Sequence, residues 1–364
     1  MFDSSNINSP AFGLDISDSS IKIIQLKKNR KLFKLVSWGE TQIEPGVIEN
    51  GEIRNEDKFL ELLKQTIKNI KGEKIKTKNA VISLLEKKTF LRIIQLPIMT
   101  KEEMRSAIIF QAENYIPLPI NEVYFDFQVI PLDPKIKDHC DVLLVVFPKK
   151  IIDQYLTALK KIDISPMAIE TESQTMSRVL SKNNAEKFPF FAINFGKSNT
   201  IFTIFSEHSL RLSASIPISS QDLTKAISQS LKVDTEKAEK IKLKYDLKDS
   251  KKDKEVSKAI EPILNDLCEQ IKKYVCYYQT YGCPEYPNTD KNTKGEKIEE
   301  IVLCGNGANL KGLPDFLSSK LEISVKLASP WLNVLEKETA DLPLLGYINA
   351  LGLAIRAVEK NYYD

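Results

Sequence analysis

Hydroxyls, acids and glycines gather at three turns of this chain, and their types suit the handling of phosphate. The stretch FGLDISDSSIKIIQL, starting at Phe12, reads as strand, tight polar turn, strand, with Asp15, Ser17, Asp18, Ser19 and Ser20 around the turn. A hairpin turn that faces a phosphate needs such hydroxyls and free backbone N–H groups. An ordinary exposed serine turn uses the same residues. About 180 residues later, NFGKSNT sets Asn194, Gly196, Ser198 and Asn199 between two further apolar strands. Two like turns at matching points of an α/β plan point to an internal duplication. The third, in EEIVLCGNGANLKGLPDFL, reads as buried strand, glycine turn, helix. There Gly305 and Gly307 flank Asn306 and permit close backbone approach, and the following helix would offer its N-terminal N–H groups.

Composition removes several other chemistries. The 52 basic and 49 acidic side chains leave a net charge of only +3, and no basic stripe alternates with aromatics, so nucleic acid is not an expected partner. Two histidines, His139 and His208, lack metal-ligand company, which argues against zinc and against a Ser-His-Asp triad. Five scattered cysteines without a CxxC pair fit a reduced, cytoplasmic chain. The apolar run Val142–Phe147 is too short to span a bilayer, and MFDSSNINSP carries no signal-peptide pattern.

These turns must be positioned by an α/β framework. Strands are expected at 12–16, 21–27 and 32–38, then a helix capped by Asn55 with Phe59, Leu60, Leu63, Ile67 and Ile70 on one face, then the buried strand NAVISLL. Residues 86–166 read as a compact βαββα insert: FLRIIQLP, a helix opened by the capping box Thr100…Glu103, VYFDFQVI, CDVLLVVF, and a helix starting at Pro148. A short segment at 167–169 and a helix near 172–182 follow. Residues 221–245 read as helical, LKDSKKDKEVSK as an exposed charged connector, and Ile260 to Tyr278 as one long amphipathic helix.

Together, GLDISDSS, INFGKSNT and VLCGNGANLKGL resemble the phosphate-1, phosphate-2 and adenosine motifs of the actin-like ATPase superfamily. The insert resembles the SHS2-type subdomain of the FtsA and PilM branch. LPIMTKEEMRSAIIFQAENYIPLPINEVYFDFQVI is similar to the signature of the type IV pilus assembly protein PilM family. The resemblance implies a duplicated, ribonuclease-H-like fold with two halves about a cleft. It implies a flexible N-terminus at 1–10, subdomain 1A at 11–85 and 167–189 with its C-terminal helix in 337–364, and the SHS2-type subdomain 1C at 86–166. Subdomain 2A would take 190–220 and 298–336, and 2B would take 221–297.

The same resemblance assigns nucleotide contacts to Asp15, Ser17, Ser19, Ser20, Gly196, Ser198, Asn199, Gly305, Asn306 and Gly307. It adds Glu239 and Lys242 from the helix in TEKAEKIKLKYDL, and gives Asp15 a water-mediated hold on Mg²⁺. Glu170, with Glu172 beside it in AIETESQTM, is the candidate to position an attacking water; acids before a helix also serve simply as caps. Ser17, Asp18, Asn194, Ser219 and Ser220 depart from the family pattern, all on the phosphate side. Asp18 turned inward would repel a phosphate oxygen. ATP or ADP with Mg²⁺ is therefore expected to bind weakly and to be hydrolysed slowly or not at all.

The function implied is a cytoplasmic scaffold of the pilus inner-membrane platform. It would bind the N-terminal tail of a PilN-like membrane protein, meet other platform and motor components, and self-associate, without inserting into membrane itself. The alternative is an FtsA-like division protein, which would carry a basic amphipathic helix after the core; GLAIRAVEKNYYD does not resemble one. A small-molecule kinase would need an intact phosphate site, against which the departures count.

Overall fold

The computed structural model describes residues 10–30, 32–130, 139–183, 189–206, 209–249, 253–281, 296–329 and 344–359. The expected flexible N-terminus (apart from Pro10), His208, Cys283 and most of the loop before Glu296 lie outside them. The chain divides into two compact units, one within Met1–Val179 and closed by Asn349–Asp364, the other within Leu180–Pro330 together with Pro343–Ile348.

The first unit runs β1 (Ala11–Ile16), β2 (Ser20–Asn29), β3 (Leu32–Gln42), β4 (Ile48–Glu49), β5 (Glu52–Ile53), α1 (Glu56–Lys68), β6 (Lys71–Gly72) and β7 (Asn79–Leu84). It continues through β8 (Phe90–Pro97), α2 (Lys101–Tyr115), β9 (Val123–Ile130), β10 (His139–Pro148), α3 (Lys149–Lys160), β11 (Ser165–Thr171) and α4 (Glu172–Asn183). Its main sheet has the order β11-β7-β1-β2-β3-β6. β1, β2 and β3 form an antiparallel meander, while β7 and β11 run parallel to β1. β1 and β7 are buried almost throughout, as strands covered on both faces must be.

The Asn55 side chain accepts the N–H of Lys58 and caps α1, which buries Phe59, Leu60 and Leu63. The helix stops at Lys68, so Ile70 lies past its end, yet it still packs on the same core. The insert forms its own sheet, β8-β10-β9, with a separate core of Ile94, Leu96, Met104, Ile108, Val142 and Leu144. The capping box at α2 is present: Glu103 accepts from the Thr100 N–H at 2.8 Å, and Thr100 Oγ1 accepts from the Glu103 N–H at 3.3 Å. Two elements expected within or just after the insert belong elsewhere. Ile151, Ile152, Tyr155, Ala158 and Leu159 of α3 enter the core shared by β1, β7 and α1, and the 167–169 segment is the middle of β11.

The second unit contains β12 (Phe190–Phe195), β13 (Thr200–Ser206), β14 (Ser209–Ile216), α5 (Ser220–Leu231), α6 (Thr235–Lys244), α7 (Lys254–Tyr281), β15 (Glu300–Cys304), α8 (Leu313–Leu321) and β16 (Ser324–Leu327). Helix α9 (Ile348–Val358) returns to the first unit. The sheet order β14-β13-β12-β15-β16 repeats β3-β2-β1-β7-β11 strand for strand, with the same antiparallel meander and the same parallel additions. The duplication is thus built into the topology.

The helical stretch expected at 221–245 is broken. Lys232 is left-handed at φ 53°, and Asp234 caps a new helix by accepting the Lys237 N–H. The charged connector is partly structured too, since α7 begins at Lys254 and buries Val256.

Candidate functional site

The first turn joins β1 to β2 through Ser17–Ser20, and Ser17 holds it closed. The Ser17 N–H donates to the Ser20 carbonyl at 3.0 Å. Ser17 Oγ donates to the same carbonyl and accepts the Ser20 N–H, each at 3.1 Å, with a longer approach from the Ser19 N–H at 3.4 Å. A serine hydroxyl thereby closes the turn, the bland alternative that the sequence left open. Asp18 does not point at its neighbours. Its carboxylate accepts the N–H of Asn50 at 2.9 Å and of Gly51 at 2.8 Å, at the tip of the β4–β5 hairpin. The inward, repelling Asp18 is therefore corrected: two backbone donors 32 and 33 residues away fix it elsewhere. Burial raises its pKa from the usual carboxylate value, partly offset by those two bonds and by Lys87.

Behind the turn, Asp15 is buried on β1 opposite Lys22 and accepts from Ser83 Oγ at 2.7 Å. Burial raises its pKa, against the pull of Lys22 and the Ser83 bond. Glu172, at the start of α4, accepts the Glu86 N–H at 3.3 Å and an Asn349 amide proton at 3.2 Å. Ser173 donates to Glu86 in return, through its N–H at 2.8 Å and through its hydroxyl. Burial, and next the charges of Glu86 and Asp15, push Glu172 up to about 8. A cation beside Asp15, Glu86 and Glu172 would relieve their mutual repulsion. Among the described residues no group of three or more His, Cys, Asp or Glu side chains forms a direct metal cage.

Glu170 has a different occupation. It takes a bidentate bridge from Arg178, both bonds 2.7 Å, and a further bond from Arg356 of α9. Burial alone would raise its pKa, but Arg178 and Arg356 outweigh that and hold it below the usual range. Both carboxylate oxygens are committed to arginines, so Glu172, not Glu170, is the acid that feels Asp15. Glu170 lies on β11 and Glu172 opens α4, so the change of element sends the two acids to different partners.

In the second unit the turn Gly196–Asn199 closes the same way, with the Gly196 N–H donating to the Asn199 carbonyl at 3.0 Å. Asn199 donates to Ser215 Oγ at 3.2 Å, and Ser198 Oγ lies 3.4 Å from Asn199 Oδ1. The turn's carbonyls then receive the first N–H groups of α5: Ser220 to Gly196 at 2.9 Å and Gln221 to Lys197 at 3.1 Å. Ser219 and Asp222 complete a capping box there. Behind it Lys242 is buried and donates to Ser220 Oγ at 2.7 Å, Thr224 Oγ1 at 2.8 Å and the Ser220 carbonyl at 3.1 Å. Its ion pair with Glu239 is 2.8 Å, and burial lowers its pKa despite that partner. Glu239 also accepts from Thr224, so the structure brings Glu239 and Lys242 together with Thr224.

The glycine turn after β15 packs closely against Phe195. Gly305 sits at φ 85°, a conformation that glycine tolerates best, and a Cβ there would meet the Phe195 carbonyl at 2.5 Å. A Cβ on Gly307 would enter the Phe195 ring. The Gly305 N–H donates to the Leu345 carbonyl at 2.9 Å. Asn306–Asn309 forms a short 3-10 turn, and α8 begins only at Leu313, so the helix expected directly after the glycines is displaced by a turn.

Sequence reasoning passed over Ser83, Glu86, Asn349 and the Asn50–Gly51 tip. Only the last carries a local signal: Asn-Gly is the strongest two-residue hairpin turn, and both residues are left-handed here, at φ 51° and 78°.

The family model of the type IV pilus assembly protein PilM matches residues 13–358. This chain belongs to the PilM family. Its fold is similar to that in a structure of a PilM–PilN type IV pilus biogenesis complex, with a TM-score of 0.80, 23% identity, and coverage of 96% of this chain and 99% of that one. It is also similar to the ethanolamine utilization protein EutJ from Carboxydothermus hydrogenoformans, at TM-score 0.54 and 10% identity over 96% and 90% of the two chains. MreB5 of Spiroplasma citri bound to ADP matches at TM-score 0.51 and 13% identity over 96% of each. The PilM fold of this chain is therefore actin-like. Among the described residues no helix is long and apolar enough to cross a membrane.

Proposed function

We propose that this chain is a cytoplasmic scaffold of the type IV pilus inner-membrane assembly platform, held at the membrane by the cytosolic N-terminal tail of a PilN-like protein. The family match over residues 13–358 carries the reading. The structural likeness to a chain solved in a PilM–PilN complex supports it. The insert supports the reading: among the described residues its sheet ends in two edge strands, β8 and β9, and an edge strand can pair with an extended peptide. Other platform and motor components, and further copies of this chain, are proposed as additional partners.

ATP or ADP is proposed as a weakly held ligand with little or no turnover, Asp15 holding Mg²⁺ through water and Glu172 standing as the nearby acid. Bound Mg²⁺ would neutralise phosphate charge; nucleotide contacts are proposed for Ser17, Ser19 and Ser20 of the first unit and for Gly196, Ser198, Asn199, Glu239, Lys242, Gly305, Asn306 and Gly307 of the second. Ser17, Gly196, Asn199, Glu239 and Lys242 already bond to partners within this chain, which is the reason for weak binding.

The test is a fluorescence anisotropy titration of a labelled peptide copying the cytosolic N-terminus of the PilN-like protein from the same organism. Saturable binding that an unlabelled copy displaces and a scrambled copy does not is expected. No saturable binding would overturn the reading. Deleting 86–166 is not a usable control, because it removes the five α3 side chains buried in the main core. A charge placed on β9, Val129→Glu at a 45% exposed position, is the milder one.

A further inference from the structure

The Asn50–Gly51 tip is gripped from three directions. Asp18 of the first turn takes both of its N–H groups. Tyr155 of α3, 1% exposed, donates its hydroxyl to the Gly51 carbonyl at 3.1 Å. Lys87, in the 3-10 turn that leads from β7 into β8, donates to Asn50 Oδ1 at 2.9 Å. Lys87 marks the entry to the inserted sheet and α3 its exit, so one two-residue tip holds the first turn and both connections of the insert. The neighbouring Glu86 is tied back to Glu172 and Ser173 at the start of α4, which leaves the entry turn little freedom of its own.

The tip is poised to transmit. Its two left-handed residues fix the direction of both N–H groups, and each of its polar main-chain atoms named here has one partner on a different element. A shift of α3 moves the Gly51 carbonyl, and through it the donors on which Asp18 rests. Asp18 sits between Ser17 and Ser19, whose hydrogen bonds set the shape of the turn.

We propose that the Asn50–Gly51 tip couples the insert to the first turn, with Asp18 and Tyr155 as its two positioning residues, so that a peptide bound at the insert reshapes the Ser17–Ser20 turn. The peptide half of this inference rests on the function proposed above; the coupling half does not. Linkage requires the effect to be reciprocal, a ligand at the turn altering peptide affinity by the same factor.

Hydrogen exchange of the full chain tests both halves. Asp18→Asn replaces two charge-assisted bonds by at best one neutral bond, and should speed exchange at Asn50 and Gly51 by about tenfold. The coupling predicts more: faster exchange also at residues 86–89 and in the first turn of α3. Tyr155→Phe, which keeps the ring in the core, should in turn speed exchange at Ser17–Ser20. Effects confined to the substituted element and its bonded partner, in both variants, would overturn the proposal. With a saturating PilN-like tail peptide, exchange at Ser17–Ser20 should slow in the wild type and stay unchanged in Asp18→Asn. Peptide that binds the wild type without altering that turn would also overturn it. A peptide that fails to bind at all counts against the proposed function, while the two variants of the free protein still decide the coupling.

Discussion

The two halves of this chain share one plan and place opposite charges behind their first hairpins. Each has a meander whose first hairpin closes with an N–H to carbonyl bond of 3.0 Å across four residues. Behind the first hairpin stand buried acids, Asp15, Glu86 and Glu172; behind the second stands a buried lysine, Lys242, with Ser220 and Thr224. The first turn is anchored by a side chain, Asp18, to a distant hairpin tip. The second is anchored by its own carbonyls to the first N–H groups of α5. A duplicated fold therefore conserves backbone geometry through topology, while the polar filling of each half is free to diverge. The first half buries acids behind its turn, and the second buries a lysine behind its own.

The largest test of that contrast is Arg178→Ala. It strips the bidentate partner from Glu170 and leaves a buried carboxylate with Arg356 alone, which should cost about 3–5 kcal/mol of unfolding free energy. Urea denaturation reads the loss. A cost below about 1 kcal/mol would mean that the first half does not depend on its buried charges.

Next comes the pH dependence carried by Glu172. In the folded chain burial and the neighbouring acids hold it protonated up to about pH 8, whereas unfolded it ionises near 4.5. Its stabilising contribution is full below that lower value and is lost as the pH rises through about 8. The slope between approaches about 1.4 kcal/mol per pH unit. Asp15, also raised, adds a loss of the same sign; Glu170, lowered, contributes stability that disappears only under more acidic conditions. Magnesium-free urea midpoints should fall from pH 5 to pH 8, and Glu172→Gln should flatten the fall. An unchanged slope in that variant would assign the dependence to other groups.

A smaller effect is expected in the second half. Lys242→Met fills the same space with an apolar chain and leaves the Ser220 and Thr224 hydroxyls to repartner. It should cost about 1–3 kcal/mol. A loss equal to that of Arg178→Ala would erase the contrast between the halves.

Much of this was legible in the sequence, and the exceptions have physical causes. The succession of strands along the chain and both polar turns follow from apolar runs of strand length bounded by hydroxyl residues. The break before α6 was also readable, since Asp234 ahead of TEKAEK is a cap signal. What local pattern cannot supply is the partner of a polar group across the fold. Asp18 could face a phosphate or a hairpin tip, and Asn50 and Gly51 decide it from 32 and 33 residues away. Glu170 and Glu172 look equivalent in AIETES, and the choice is made by Arg178 eight residues on and Arg356 on α9. The close packing of Phe195 on Gly305 and Gly307 is likewise set from a distant strand, β12.

Both turns are closed by hydrogen bonds of their own, which a bound phosphate would have to displace. Calorimetric titration of the full chain with Mg-ATP and with Mg-ADP, at one salt concentration, tests this most directly. The account predicts weak binding of both, with dissociation constants within about a factor of ten, because a third phosphate then adds less than about 1.4 kcal/mol. ATP bound far more tightly than ADP would contradict it, and would show that the serines of the first turn give up their internal bonds to the phosphate.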